Sequence, residues 1–129
     1  ADLYRTLQRD PEAEAILRQG LSVAADRATI EFAFALTLVR LGQIDEALVY
    51  LRHAHLARPD TIRFGYVYAV AQFDRGKHEA ALATLERLRQ RYPANREILQ
   101  LLAGYNQQLG RNEVAQRYST ELTELGESR

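Results

Sequence analysis

The stretch LGQIDEA, residues 41–47, decides the fold, because it returns twice along the chain in the same frame. RGKHEAA occupies residues 75–81 and LGRNEVA occupies residues 109–115, so the glycine and the final alanine recur every 34 residues. Two further sets keep this spacing, namely Pro59 with Pro93, and Ala35 with Ala69 and Ala103. Several positions that share one period without an insertion indicate a repeated unit of supersecondary structure.

Each unit is predicted to be an antiparallel pair of helices. The glycine follows an apolar-periodic stretch, where the end of a helix often needs a positive φ that glycine adopts without strain. Alanine lets two helices approach closely, and proline cannot donate the hydrogen bond that would extend the second helix. The predicted helices span residues 28–41 with 44–57, 61–75 with 78–91, and 95–109 with 111–125.

These residues resemble the tetratricopeptide repeat family. Counted from Ala28, the first complete unit matches the family pattern at Ala35, Gly42, Ala47, Ala54 and Pro59. The second unit departs from it at Leu88, where the family has alanine, and the third at Glu127, where the family has proline. Glu31, Gly65 and Leu99 stand where the family often has a large aromatic residue. The resemblance implies an all-α fold, a right-handed superhelix (solenoid) of antiparallel helix pairs.

The predicted domain organisation is a single tetratricopeptide domain over residues 1–129. It consists of a partial repeat (1–27), two repeats (28–61 and 62–95) and a terminal repeat (96–129). The partial repeat contains Asp10-Pro11, which starts a helix well, and keeps Leu3 and Leu7 from the helix before it. Gln116 and Ser119 replace leucines of the earlier units, as in a terminal repeat that stays soluble, unless the third repeat has merely drifted. We therefore expect the C-terminal region of a longer bacterial protein.

Composition excludes several classes of chemistry. Seventeen basic residues balance seventeen acidic ones, which argues against a nucleic-acid partner. Cysteine is absent, and no apolar run reaches the roughly 18 residues of a membrane span. His53 and His55 are two residues apart, whereas helical metal pairs use i, i+4 spacing. We expect no catalytic residue, no metal, no cofactor, no nucleic acid and no membrane insertion, and therefore not an enzyme.

The candidate binding surface comes from the first helix of each pair, which lines the concave side of such a superhelix. The helix over residues 29–41 is apolar nearly all round, and a helix without a polar face is one that something else covers. In the third unit the corresponding positions are polar and rich in glutamine. The predicted peptide-binding or protein-binding groove consists of Phe32, Leu36, Val39, Arg40, Arg63, Tyr66, Val70 and Phe73.

The leading functional hypothesis is therefore a non-catalytic scaffold that binds a protein or peptide in this groove, with Arg40 and Arg63 orienting it at the rim. In another interpretation, missing upstream helices or the superhelix itself cover the same residues. The chaperone-binding carboxylate clamp of some family members is not expected, because its positions do not match. A helical-repeat module for nucleic acid is a weaker alternative.

A structural role is the main alternative hypothesis. Residues 64–71 and 91–93 resemble the C-terminal tetratricopeptide regions of some bacterial proteins, including ones with a multihaem cytochrome in the N-terminal part. That resemblance implies an appendage or docking domain for an N-terminal catalytic domain, and cytoplasm and periplasm both stay open. A homodimer is also expected, either through the exposed solenoid end at Leu3 and Leu7 or through the apolar concave face.

Overall fold

A computed structural model of the protein describes residues 26–127, which form six α-helices and no β-strand. The helices are α1 (Arg27–Arg40), α2 (Ile44–Ala57), α3 (Ile62–Asp74), α4 (His78–Arg91), α5 (Arg96–Gln108) and α6 (Asn112–Glu127). The predicted partial repeat, with Asp10-Pro11, Leu3 and Leu7, lies almost entirely outside the described residues. The predicted all-α repeat fold is confirmed, and every predicted helix is found within two residues of its predicted ends.

The three repeated glycines end the first helices as predicted. Gly42, Gly76 and Gly110 have φ values of 78°, 81° and 77°. In each turn the next residue donates its backbone N–H to the carbonyl five residues before it, as Lys77 does to Gln72 at 2.8 Å. The glycine itself donates to the carbonyl three residues before it, at 3.0 Å in all three turns. This pair of bonds is the Schellman arrangement, which satisfies the last carbonyls of a helix.

The small repeated residues lie where helices meet. Ala35, Ala47, Ala69 and Ala81 are all 0% exposed. A larger side chain at any of these positions would therefore have to fit between the packed helices. Ala54 is also fully buried, and Leu88, which stands at the position of Ala54 in the second repeat, is 3% exposed. The requirement for close helix approach therefore explains the recurrence of alanine.

The chain divides into two compact units, Ala1–Ala71 and Gln72–Arg129. In the described part of the first unit, α1 packs against α2, and Phe34, Leu38 and Leu51 are buried almost completely. The Phe34 ring meets the Tyr50 ring edge-on at 5.0 Å between centroids, a favoured aromatic geometry.

In the second unit, α5 packs against both α4 and α6. The fully buried side chains of this unit include Leu85, Ile98 and Leu102. Thr84 is 1% exposed and donates its hydroxyl to Oε1 of Gln72 at 2.8 Å, so a buried polar pair is satisfied inside this core.

One packing expectation from the sequence is wrong. The sequence predicts a helix over residues 29–41 that is apolar and covered nearly all round, but Leu41 at its end is 51% exposed. The helix ends at Arg40, and Leu41 is its C-cap with φ −85° and ψ 2°, so a helical projection no longer describes where its side chain points. Among the helices that the structure describes, none is long and apolar enough to cross a membrane.

Candidate protein-binding surface

Phe32, the first predicted groove residue, packs against α3. Its ring stacks on the Phe64 ring with 4.4 Å between centroids and 26° between planes. Both side chains are buried, at 6% and 7% exposure. The sequence placed Phe32 on an open face, whereas its ring is mostly covered by the protein itself. A helical projection of α1 alone does not include the aromatic residue that α3 brings to the same place.

Arg63 lies directly beside this aromatic pair. It belongs to the first turn of α3, is exposed, and its guanidinium carbon is 5.4 Å from the Phe32 ring centroid. A guanidinium near an aromatic face is attracted by the negative face of the ring. The predicted rim position of Arg63 therefore coincides with a defined contact.

Four predicted apolar residues of the first unit keep part of their surface accessible. Val39 is 37% exposed, while Leu36, Tyr66 and Val70 are half-buried. Leu36 packs against the core of the first unit. Spacings of three and four residues put such side chains on one face of each helix. We call these four residues, together with Arg40 and Arg63, the α1/α3 surface.

Arg40 ends α1 and is exposed. Its Nη2 donates to the hydroxyl of Thr37 at 3.2 Å, and a cation in the last turn is favoured by the helix dipole. Its position at the end of α1 is compatible with the predicted role at the rim, which stays a prediction.

Phe73, the last predicted groove residue, belongs to the second unit. Its ring stacks on Tyr105 with 3.6 Å between centroids and 4° between planes, and it lies 4.4 Å from the His78 ring. Phe73 is half-buried, and Tyr105 is 7% exposed. The sequence did not identify either ring partner of Phe73.

The corresponding face of the third repeat is polar, as the sequence predicts. Glu97, Gln100, Gln107 and Gln108 on α5 are all exposed. Gly104 lies between them, and a Cβ added there would meet nothing within 4 Å.

The histidines contact neighbouring side chains, and the most unusual contact was not predicted. Nδ1 of His53 is 3.3 Å from Oε2 of Glu31, a carboxylate that is 5% exposed. The His55 ring lies 6.0 Å from the Tyr68 ring. In the region from residue 26 to residue 127, no group of three His, Cys, Asp or Glu side chains could hold a metal ion.

A charged network joins α4 and α6 in the second unit. Arg89 donates to both carboxylate oxygens of Glu86, and the Tyr118 hydroxyl donates to Glu86 at 2.7 Å. The Arg89 hydrogen bonds lower the pKa of Glu86. Burial, followed by the bond to Glu86, raises the pKa of Tyr118 to about 12. Near neutral pH the carboxylate is charged and the phenol is protonated, so the pair links two helices rather than transferring protons.

Two exposed hydrophobic residues on α2 were also not predicted. Val49 is 50% exposed and Leu56 is 60% exposed. They are seven residues apart and so lie on one face of the helix. Isolated apolar residues at a surface are common, and these two do not recur at the 34-residue spacing of the repeats.

Comparisons with known proteins agree with this architecture. No curated protein matches the chain. Solved structures of MamA share its fold with a TM-score of 0.74, among them "MamA MSR-1 C2" at 22% identity, covering 97% of this chain and 71% of that one. "MamA RS-1 ArsTM double mutant" matches at 18% identity over 95% and 70% of the two chains, also with a TM-score of 0.74. "Crystal structure of MamA" matches at 16% identity over 98% and 85%, with the same TM-score.

The sequence itself supplies the family evidence. The family description "Tetratricopeptide repeat" matches residues 38–105, more than half of the chain. This range contains the turns at Gly42 and Gly76 and the buried alanines around them. The chain belongs to the tetratricopeptide repeat family.

Proposed function

We propose that the chain is a non-catalytic scaffold that binds a segment of a partner protein on the α1/α3 surface. Tetratricopeptide repeats are protein-interaction scaffolds, and the family match supports that general role. The finer proposal concerns which face of this chain binds. It depends on the accessible apolar residues of the first unit.

The partial exposure of Val39 is the observation that carries the proposal. A valine that is 37% exposed lies on the same helix face as half-buried Leu36, while Tyr66 and Val70 on α3 are also half-buried. Covering apolar surface contributes about 25 cal/mol per Å², and large contiguous apolar patches at a surface mark interaction sites. Tyrosine is enriched among the residues that dominate binding energy.

The burial of Phe32 limits the predicted groove. Phe32 and Phe64 fix α1 and α3 together, so they form the base of the surface and leave contact with the partner to the residues around them. A base that does not rearrange lowers the entropy cost of binding, since fewer side chains are ordered at that moment.

Selection from a random dodecapeptide library, displayed on phage, tests the proposal. Peptides selected on the wild-type chain are measured against Val39→Gln and against Val49→Gln. The second variant is a matched control, because it makes the same substitution at a valine on α2 that is 50% exposed. We expect Val39→Gln to weaken binding by about threefold to tenfold, because it removes part of one valine's burial, and Val49→Gln to leave binding unchanged.

The opposite ranking would place the partner on α2. Equal binding by wild type and both variants would remove the α1/α3 surface as the site. In that case the structural alternative, an appendage that docks a catalytic domain, becomes the better account.

A further inference from the structure

The exposed Arg63 side chain lies beside a buried aromatic ring. Its guanidinium carbon lies 5.4 Å from the centroid of the Phe32 ring, and that ring is itself stacked on Phe64. Phe32 is 6% exposed, so the ring has little freedom to move. A guanidinium beside a fixed ring has a favoured position before any ligand arrives.

Within residues 26–127, no carboxylate forms an ion pair with Arg63, whose described contact is the Phe32 ring. The first turn of α3 contains no acidic residue. Other arginines of the first unit do have such partners, for example Arg58, which contacts Asp26 at 2.7 Å. Arg40, the other cation of the α1/α3 surface, contacts the Thr37 hydroxyl and further groups of the protein, so recognition of an anion by this surface would depend on Arg63 alone.

We infer that Arg63 binds a carboxylate of the partner segment, from an Asp or Glu side chain that is followed by apolar residues. This inference rests on the function proposed above and specifies the chemistry of the occupant. The charge of Arg63 is complementary to an acidic side chain, and Tyr66 lies one turn along α3 from Arg63, where the apolar part of the same segment would follow.

The planar fork of arginine explains why this residue type suits the role. Two parallel N–H groups can donate to both oxygens of one carboxylate, and the flat group can lie along a ring at the same time. A lysine at this position would keep the charge but would have neither the fork nor the flat contact. Arg63→Lys therefore separates specific recognition from simple attraction between charges.

The same dodecapeptide library provides the test. It is selected in parallel on the wild-type chain, Arg63→Gln, Arg63→Lys and Arg52→Gln. Arg52 is exposed on α2, so Arg52→Gln makes the same change of charge away from the α1/α3 surface. All four proteins are compared by circular dichroism before use. The readouts are the enrichment of Asp and Glu over the library average and the Kd of a selected peptide with its acidic residue changed to Gln.

We expect acidic enrichment on the wild type and on Arg52→Gln, and its loss on Arg63→Gln. The selected peptide is expected to bind about tenfold to thirtyfold more weakly to Arg63→Gln, the lower part of the range for a charge-assisted hydrogen bond, and Arg63→Lys is expected to restore less than half of that loss. Acidic enrichment that persists on Arg63→Gln, or is absent on the wild type, would overturn the inference.

The outcomes also separate this inference from the proposed function. Peptides that lose affinity for Val39→Gln but show no acidic preference leave the α1/α3 surface as the binding site and refute the role of Arg63. Peptides whose binding is indifferent to Val39→Gln refute both. Full recovery with Arg63→Lys would reduce the role of Arg63 to unspecific attraction and would likewise overturn the inference.

Discussion

Two glycine-to-alanine substitutions are predicted to change stability in opposite directions. Gly76 ends α3 with φ +81°, and a Cβ added there would meet nothing within 4 Å. Gly104 lies inside α5, and a Cβ there would also meet nothing within 4 Å. Because neither methyl group would clash, each change in the free energy of unfolding reports the backbone conformation alone.

The magnitudes follow from that conformation. An alanine in the left-handed region costs about 1–2 kcal/mol, partly offset by the lower entropy of the unfolded chain, about 0.4–1 kcal/mol. We expect Gly76→Ala to lose about 1 kcal/mol. Alanine within a helix is favoured over glycine by about 0.5–1 kcal/mol, so Gly104→Ala is expected to gain that amount.

Thermal unfolding followed by circular dichroism at 222 nm measures both changes. About 1 kcal/mol corresponds to roughly 4 °C in Tm for a chain of this size, so the two variants should differ by roughly 7 °C with the wild type between them. A Gly76→Ala variant as stable as the wild type would refute the role of the positive φ. A destabilised Gly104→Ala variant would refute the assignment of Gly104 to an ordinary helical position with free space around it.

Three further predictions concern the core, acid stability and self-association. Thr84→Val leaves the amide oxygen of buried Gln72 without its donor and should cost about 1–3 kcal/mol in urea unfolding, whereas Thr120→Val, at an exposed site, should change little. Arg89 lowers the pKa of Glu86 below its ordinary value of 4.5, so the ionised carboxylate stabilises the fold above pH 4.5 and this stabilisation is lost as the pH falls below 4.5. Glu86→Gln should therefore reduce the decrease in the free energy of unfolding by urea between about pH 5 and pH 3. A decrease as large as that of the wild type would refute this prediction. A second copy that uses the α1/α3 surface would give a concentration-dependent dimer in sedimentation equilibrium, weakened by Val39→Gln, and a monomer at millimolar concentration would contradict it.

The repeat period alone was sufficient to predict the helices. A positive φ at Gly42 and full burial at Ala47 are local demands that few residue types satisfy, so the sequence records them at a fixed spacing. The helix ends follow from the same glycines and from the prolines, because these residues restrict the backbone itself.

The contents of the candidate surface were less predictable, because they depend on pairs of helices. Phe32 faces outward on a projection of α1, yet Phe64 from α3 covers it at 4.4 Å between ring centroids. The Glu31 carboxylate occupies a buried position that is leucine in the third repeat, and it contacts His53, which is 22 residues away. The Phe32–Phe64 pair and the Glu31–His53 pair each occur in one place only, so the 34-residue period could not predict them.

The predicted groove stays a prediction. Of its residues, Val39 and Arg63 are exposed, while Phe73 is half-buried against Tyr105. Which of these residues a partner contacts is a property of the complex, and exposure alone does not decide it.

Methyl NMR of the chain labelled at valine tests the central claim most directly. A peptide selected from the library is titrated while the methyl signals of Val39, Val70, Val49 and Val114 are followed. The account predicts that Val39 and Val70 shift on binding and that Val49 on α2 and Val114 on α6 do not. Shifts at Val49 with unchanged signals at Val39 and Val70 would contradict binding on the α1/α3 surface.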